Sequence, residues 1–239
     1  MSLKLEGKLA LITGCTGGIG RATAITLARQ GCSIAVHYNS AAEKARVLVE
    51  ELQNSFHVRA VAFGADLSSY DNVRSLHAEV VEKLGHPDIL FNNAGDTVKV
   101  IGKMGDIQEI SVEMFENTWR LNAGSSFLSR NSVESSLIRG TGGVIGPHYA
   151  SSKSALHGLL HWIASRHAKD GVTSNAVAPA LITETTMMGN PSDELKKMIP
   201  VGRLGVPDEI ASIVEVLVIN AYMTNKIIVA DGGLTPSAF

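Results

Sequence analysis

The chain has 239 residues, of which 45% are hydrophobic and 18% are charged, so a full core can be buried in one large α/β domain or in two small ones. Its formal net charge of −2 provides no basic field for nucleic acid or for an anionic membrane surface. The two cysteines, Cys15 and Cys32, are too few for a disulfide framework and lack the spacing of a zinc site, and no apolar run reaches the length of a membrane span. We therefore expect a cytoplasmic protein without a metal, a membrane or a nucleic-acid partner.

Short apolar runs typical of buried strands alternate along the chain with longer runs typical of helices. The first half predicts strands at residues 9–13, 33–38, 58–63 and 88–92, separated by helices at 18–30, 41–53 and 70–84. The second half predicts a long helix at 111–138, a helix at 149–167, a strand at 172–177, a helix at 207–218 and a strand at 226–229. This alternation predicts a Rossmann-type doubly wound parallel sheet. Without a linker or a repeat, a single domain over residues 1–239 is the simpler interpretation.

A glycine-rich segment, residues 13–20, lies where the first strand turns into the first helix, and it reads Thr13-Gly14-Cys15-Thr16-Gly17-Gly18-Ile19-Gly20. Gly14 permits the tight turn, Gly18 lets a pyrophosphate approach the backbone, and Gly20 allows close packing of helix on strand. The helix beyond offers free N–H groups to the phosphates. A glycine-rich turn without a ligand is the alternative, but the position between strand and helix favours a dinucleotide site.

The end of the second strand indicates which dinucleotide binds. A site for NAD usually places a carboxylate about 20 residues beyond the glycines, where it binds the ribose 2′-hydroxyl. Here the sequence is His37-Tyr38-Asn39-Ser40, without a carboxylate, and Asn39 and Ser40 could donate to a 2′-phosphate. The nearest cations are Lys44 and Arg46. The sequence therefore favours NADP(H), with NAD(H) as the alternative.

Two residues with acid–base chemistry, Tyr149 and Lys153, are spaced i, i+4 and therefore share one face of a helix. Tyrosine is a weak acid–base group at its ordinary pKa of about 10. A neighbouring ammonium favours the tyrosinate and makes proton transfer easier. Taken alone, the pair is interpreted by default as two surface side chains, because this spacing occurs by chance in many proteins.

Further motifs accompany this pair in a specific order: Asn92-Asn93-Ala94-Gly95 after the fourth strand, Asn122 on the long helix, and Ala178-Pro179 after the next strand. Together they resemble the short-chain dehydrogenase/reductase family over essentially the whole chain. Among its members, the chain is most similar to those that include 3-oxoacyl-(acyl carrier protein) reductases.

The resemblance implies an NADP(H)-dependent oxidoreductase that reduces a carbonyl, such as that of a 3-oxoacyl thioester, to an alcohol by hydride transfer. Tyr149 would donate the proton, Lys153 would bind the nicotinamide ribose, and Asn122 would hold a water that relays protons. It also implies a homodimer or homotetramer. The expected cofactor contacts, including the two catalytic side chains, are Gly14, Thr16, Gly18, Ile19, Gly20, Asn39, Ser40, Asp66, Leu67, Asn93, Ala94, Gly95, Tyr149, Lys153, Pro179 and Ile182. Asp66 is equally consistent with a turn at the entry to a helix.

The chain departs from the family pattern just before Tyr149. The family places a strand that carries a catalytic serine between a Gly-Gly pair and the tyrosine, whereas here Gly142-Gly143-Val144-Ile145 runs directly into Gly146-Pro147-His148-Tyr149. A strand of about five residues and a substrate loop do not both fit this span. Either the strand is deleted, or a segment between Ile145 and Gly146 is missing from the sequence. Because losing a central strand would ruin the core, the second explanation is favoured.

A non-enzymatic function stays open beside the catalytic one. The same fold could serve as a catalytically impaired, nucleotide-sensing or scaffolding protein, and the missing serine is the feature that argues for it. Outside the site, Arg203 lies in a turn before the last helix and is interpreted as structural.

Overall fold

The computed structural model describes residues 5–102, 105–129, 145–185 and 193–235. Its first half forms a four-stranded parallel sheet of β1 (Leu9–Ile12), β2 (Ser33–Tyr38), β3 (Ala60–Gly64) and β4 (Ile89–Phe91). The strand order is β3-β2-β1-β4, and Ile12 of β1 pairs with Val36 on one side and Phe91 on the other. The chain therefore changes direction across the sheet at β1, and a crevice opens between the carboxyl ends of β1 and β4.

Three helices cross between these strands: α1 (Gly18–Arg29), α2 (Ala42–Phe56) and α3 (Tyr70–Leu84). Each presents an apolar stripe to the sheet, as Ala24 and Leu27 do in α1. Ser69 caps α3 by accepting a hydrogen bond from the Asn72 amide, and Gly85 ends it at a positive φ. The predicted elements of this half are confirmed to within a few residues at their ends.

The second half begins with a short 3₁₀ turn at Ile107–Glu109 and continues into α4 (Val112–Trp119), a π-helical turn at Arg120–Gly124 and α5 (Ser125–Ser129). The long helix predicted at 111–138 is thus interrupted by the π-helical turn, and its last nine residues lie outside the described part of the chain. The elements that follow are α6 (Pro147–His167), a 3₁₀ turn at Ala168–Asp170, β5 (Asn175–Pro179), α7 (Asp193–Met198), α8 (Pro207–Ile219) and β6 (Lys226–Ala230).

The strand predicted at 172–177 begins three residues later than expected. The Val172 amide donates to the carbonyl of His167, and Gly171 adopts a φ of +79°. These residues close the end of α6 instead of pairing with a strand, because a helix terminus needs donors for its last carbonyls.

Strands β5 and β6 form a separate parallel pair, and the described residues contain no strand between β4 and β5. One hydrophobic cluster nevertheless joins the two sheets, since Ile12 and Ile34 of the larger sheet share it with Val177 of β5 and Ile210 of α8. Helix α8 also packs along α1. The predicted parallel α/β architecture is confirmed, although its sheet is divided. No helix in the described part of the chain is long and apolar enough to cross a bilayer.

Candidate cofactor and active site

The glycine-rich turn is held in place by the end of β4. The Thr13 hydroxyl accepts hydrogen bonds from the amides of Asn93 (2.9 Å) and Ala94 (3.0 Å). The Asn93 side-chain amide donates in return to the carbonyls of Thr13 (2.9 Å) and Gly14 (3.0 Å). Gly14 has a φ of +61°, which confirms the tight turn expected of it. Asn93 therefore supports the turn directly, whatever further contact it makes with a nucleotide.

The turn ends in a helix terminus suited to a diphosphate. Helix α1 begins at Gly18, and its N-cap residue, Gly17, supplies no side-chain cap. A Cβ at residue 18 would lie 2.3 Å from the Glu184 carbonyl oxygen, so only glycine fits there. An open cleft of about 600 Å³ borders Thr16 and Gly18 and extends to the start of α8. The cleft is lined by α1, α2 and the start of α8, and by none of residues 93–95, Tyr149 or Lys153. The first-turn amides and the positive end of the helix dipole are suited to the phosphates of a dinucleotide.

The residues expected on the adenosine side lie at the carboxyl ends of β2 and β3. Asn39 and Ser40 are exposed, and Lys44 lines the cleft. The Arg46 guanidinium, by contrast, binds the Glu43 and Glu50 carboxylates of its own helix. The Asp66 carboxylate accepts from the Ser68 amide (2.9 Å) and hydroxyl (2.8 Å), which is the turn geometry that the sequence left open for it.

Asn122 is buried in the π-helical turn, and both polar atoms of its side chain are hydrogen-bonded within the protein. Its Oδ1 accepts from the Asp96 amide (3.0 Å), and its Nδ2 donates to the Asp96 carbonyl (3.0 Å) and to the Ser152 hydroxyl (3.1 Å). These bonds connect the segment after β4 with α6. The Asn122 backbone carbonyl accepts from the Ser126 hydroxyl over 3.4 Å.

Helix α6 carries Tyr149 and Lys153, both buried, with the Lys153 ammonium 5.8 Å from the centre of the Tyr149 ring. A Cβ at Gly95 would lie 3.1 Å from both Lys153 Nζ and Asn122 Oδ1. Residues 93–95, Asn122, Tyr149 and Lys153 are thus brought together as the sequence predicts. A lysine that is only 5% exposed is unusual, and such lysines are commonly functional.

The segment after β5 lies against the glycine-rich turn, where the Glu184 carbonyl oxygen adjoins Gly18. Ile182 is buried and bridges to Gly205, and the Thr185 hydroxyl donates to the Ile182 carbonyl over 3.0 Å. Pro179 is the last residue of β5, and the next amide, that of Ala180, donates to Ala230 of β6. This segment is consequently fixed to both β6 and the turn before α8.

Neither serine next to Tyr149 can take the place of the one that the family pattern contains. The Ser151 hydroxyl accepts from Trp119 Nε1 and donates to the Pro147 carbonyl, and the Ser152 hydroxyl bonds to Asn122 and to the Tyr149 carbonyl. The Ser151 side chain is thus bonded to its own helix and to α4, and the Ser152 side chain to its own helix and to the π-helical turn. Sequence reasoning missed the contribution of Ser152, and also that of His37, which contacts the glycine-rich turn. The position of His37 immediately before the strand end was the only available signal.

A missing segment is expected between Ile145 and Gly146. Both residues accept backbone hydrogen bonds from other parts of the chain. The Ile145 carbonyl accepts from the Ile101 amide over 2.8 Å, and the Gly146 carbonyl accepts from the Ala150 amide at the start of α6. The preceding residues, 130–144, lie outside the described part of the chain.

The glycine-rich turn beside a strand-order reversal, together with a buried Tyr–Lys pair across the crevice, defines a dinucleotide-dependent oxidoreductase of the α/β class. A family model described as Enoyl-(Acyl carrier protein) reductase matches residues 14–235. The chain belongs to this short-chain dehydrogenase/reductase family, which confirms the resemblance and the predicted class of enzyme.

Three relatives illustrate the similarity. The 3-oxoacyl-(acyl-carrier-protein) reductase FabG of Aquifex aeolicus is 33% identical, with 98% of this chain and 100% of that protein covered. A blue fluorescent protein from a metagenomic library, solved in complex with NADPH, is 31% identical with a TM-score of 0.88, with 98% of this chain and 100% of that chain covered. The angucycline C-6 ketoreductase LanV, solved with bound NADP, is 29% identical with a TM-score of 0.85, with 98% of both chains covered.

Proposed function

We propose that this protein is an NADP(H)-dependent reductase that converts a carbonyl group to an alcohol, with Tyr149 as the proton donor. The observation that carries the proposal is the convergence of the buried Tyr149, Lys153 and Asn122 next to Gly95, close to the glycine-rich turn. The NADP and NADPH complexes of its structural relatives support the choice of cofactor.

The bound cofactor would supply the hydride that reduces the carbonyl carbon. Gly14, Gly18 and the first amides of α1 would bind its diphosphate, and Asn39, Ser40, Asp66 and Leu67 would border the adenosine. Ile182 would contact the nicotinamide carboxamide through its backbone. Thr16, Ile19, Gly20, Asn93 and Ala94 would shape the turn, and Pro179 would fix the far side of the crevice.

Side chains of the protein would supply the proton that the reduction needs. Tyr149 would donate its hydroxyl proton to the developing alkoxide. The Lys153 ammonium would stabilise the resulting tyrosinate and bind the nicotinamide ribose. Asn122 would hold the segment after β4 and α6 at a fixed separation, so that this pair keeps its alignment.

We also infer a 3-oxoacyl thioester as the substrate to try first, because the Aquifex relative is named for that reaction.

A homodimer or homotetramer is proposed because apolar side chains are exposed on two neighbouring helices: Val112 and Phe115 of α4 and Trp162 of α6. The two buried free thiols, Cys15 and Cys32, are in keeping with a cytoplasmic location.

The proposal is tested by following NADPH oxidation with a panel of 3-oxoacyl thioesters, quinones and small ketones. Tyr149→Phe should lose turnover with every substrate and keep its affinity for NADPH. Tyr222→Phe is the matched control, because Tyr222 is almost fully exposed, and it should behave as the wild type does. Full activity in Tyr149→Phe would refute the assignment of the proton donor. NADPH binding without turnover in the wild type would instead favour the nucleotide-sensing alternative.

A further inference from the structure

His37, the next-to-last residue of β2, joins three segments of the chain at the carboxyl ends of β1, β2 and β3. Its Nδ1 accepts a hydrogen bond from the Gly14 amide over 3.0 Å, and its Nε2 lies 2.9 Å from the Ala65 carbonyl oxygen. Its own carbonyl accepts from the Cys15 amide over 2.9 Å. One residue thus connects the glycine-rich turn with the segment that leads from β3 into Asp66.

The partners of the ring determine its protonation state. An amide N–H can only donate, so Nδ1 must carry a lone pair, and a carbonyl oxygen can only accept, so Nε2 must carry the hydrogen. The imidazole is therefore neutral and in a single tautomer. A proton added at Nδ1 would face the Gly14 N–H and break that contact.

Burial favours the same neutral form. His37 is 1% exposed, and this burial lowers its pKa, an effect opposed by the hydrogen bond to Ala65. The ionisable side chains on the adjoining elements are Cys15 on the turn, Tyr38 on the same strand and Asp66 after β3. The Cys15 thiol is kept neutral because burial raises its pKa, and the Asp66 carboxylate is turned to Ser68.

We propose that His37 is a positioning residue for the cofactor: its neutral ring holds the glycine-rich turn in register with the adenosine side, and its protonation releases the turn and weakens dinucleotide binding. This inference rests on the proposed cofactor site but not on the identity of the substrate or on the role of Tyr149. The affinity for the cofactor should therefore fall at acidic pH because His37 becomes protonated, and not because a group of the nucleotide does.

The experiment measures the dissociation constants of NADP⁺ and NAD⁺ by calorimetry between pH 8 and pH 4.5, because burial lowers the pKa of His37 from its ordinary value. Two nucleotides are needed because the 2′-phosphate of NADP⁺ titrates near pH 6 itself, whereas NAD⁺ lacks that group. Losing one hydrogen bond to the turn should cost about tenfold in affinity. Because burial lowers the His37 pKa, the wild type should show this loss with both nucleotides only toward the acidic end of the range.

Two substitutions distinguish the loss of the hydrogen-bond acceptor at residue 37 from the effect of its protonation. In His37→Asn, Oδ1 occupies the place of Nδ1 and cannot be protonated in this range, so affinity should stay within about twofold across the pH range. In His37→Val no acceptor remains, and binding should be about tenfold weaker already at pH 8. His77→Asn, on the exposed side of α3, should keep the wild-type profile.

Several outcomes would overturn the proposal: an Asn variant that keeps the wild-type pH dependence, or a Val variant that binds as tightly as the wild type at pH 8. If the variants do not fold, the wild type is titrated and followed by NMR. The chemical shifts of the His37 ring and of the Gly14 amide should then change with pH at one common midpoint. Separate midpoints would overturn the proposal. Failure of the wild type to bind either nucleotide at pH 8 would refute the cofactor site itself. Normal nucleotide binding without turnover of any substrate would refute the proposed reaction but not this inference.

Discussion

Asn122 Nδ2 donates a hydrogen bond to Ser152 Oγ over 3.1 Å, and this contact ties the π-helical turn to the helix that bears Tyr149 and Lys153. Because Ser152 also donates to the Tyr149 carbonyl over 2.8 Å, the two elements are joined directly at the proposed proton donor. π-helical turns inside α-helices frequently occur at functional sites.

Replacing Ser152 by alanine should therefore misalign the catalytic pair while leaving the nucleotide turn intact. We expect kcat to fall about tenfold, because small displacements of reacting groups are costly. The affinity for NADP⁺ should change by less than about twofold, and Tm should fall by about 2–4 °C for the loss of one buried hydrogen bond. Ser165→Ala is the control, since Ser165 is exposed on the same helix and donates only to the His161 carbonyl. An unchanged kcat in Ser152→Ala would show that this contact does not align the site.

The charge of Lys44 should determine part of the preference for NADP(H) over NAD(H). Lys44 lines the cleft beside Thr16, whereas Arg46 is occupied by Glu43 and Glu50. Lys44→Ala should weaken NADPH binding by about five- to tenfold, the loss of one charge-assisted contact, and should leave NADH binding nearly unchanged. Arg46→Ala should have a smaller effect on NADPH. Equal losses for the two nucleotides in Lys44→Ala would exclude a contact with the 2′-phosphate.

The sequence predicts the first sheet and the turn well because local signals determine them. Strand and helix periods and the spacing of Gly14, Gly18 and Gly20 are properties of short segments. Other features depend on residues that are 20 to 80 positions apart in the chain. These are the hydrogen bonds from Asn93 to the turn, the contact of Asn122 with Ser152 and the contact of His37 with Gly14. No local pattern encodes such pairings. The division of the described strands into two sheets was not predicted.

Gly18 should be intolerant of any side chain. A Cβ there would lie 2.3 Å from the backbone oxygen of Glu184, which cannot yield as a flexible side chain could. Gly18→Ala should abolish measurable NADP⁺ binding and lower Tm. The contrasting change is Gly158→Ala in α6, where a Cβ meets no atom within 4 Å. It should raise the free energy of unfolding by about 1 kcal/mol, because alanine is the better helix former. NADP⁺ binding by Gly18→Ala at wild-type affinity would show that the Glu184 segment moves aside.

The intact mass of the purified protein should distinguish the two explanations for the missing strand. The 239-residue chain has a mass of 25.3 kDa. We expect a larger mass, apart from any tag, with the additional peptide found by proteolytic mapping between Gly142 and Tyr149. A mass of 25.3 kDa would establish a true deletion. In that case the β5–β6 pair lacks its neighbour in the sheet, and the alternative of an impaired enzyme gains weight.

Arg203 and Glu209 should stabilise the protein at neutral pH and lose this effect in acid. The Arg203 guanidinium binds the carboxylate through two contacts, at 2.5 and 2.9 Å, and the Val206 amide donates to it over 3.0 Å. These contacts lower the pKa of Glu209 to about 2. The stabilisation is therefore present above the ordinary glutamate pKa of about 4.3 and declines as the pH falls from there toward 2.

Glu209→Gln should consequently lower Tm at pH 7 by about 2–4 °C, the size expected for an exposed but bidentate ion pair. The difference from the wild type should shrink as the pH is lowered through 4 to 3, because Glu209 takes up a proton in the unfolded chain over this range while the folded carboxylate is still ionised. Glu215→Gln on the same helix is the control, because Glu215 accepts from the neutral Gln30 amide and not from a cation. Thermal unfolding at four pH values provides the measurement. A Glu209→Gln deficit that stays constant down to pH 3 would indicate that the carboxylate acts through its shape and the helix cap instead of its charge.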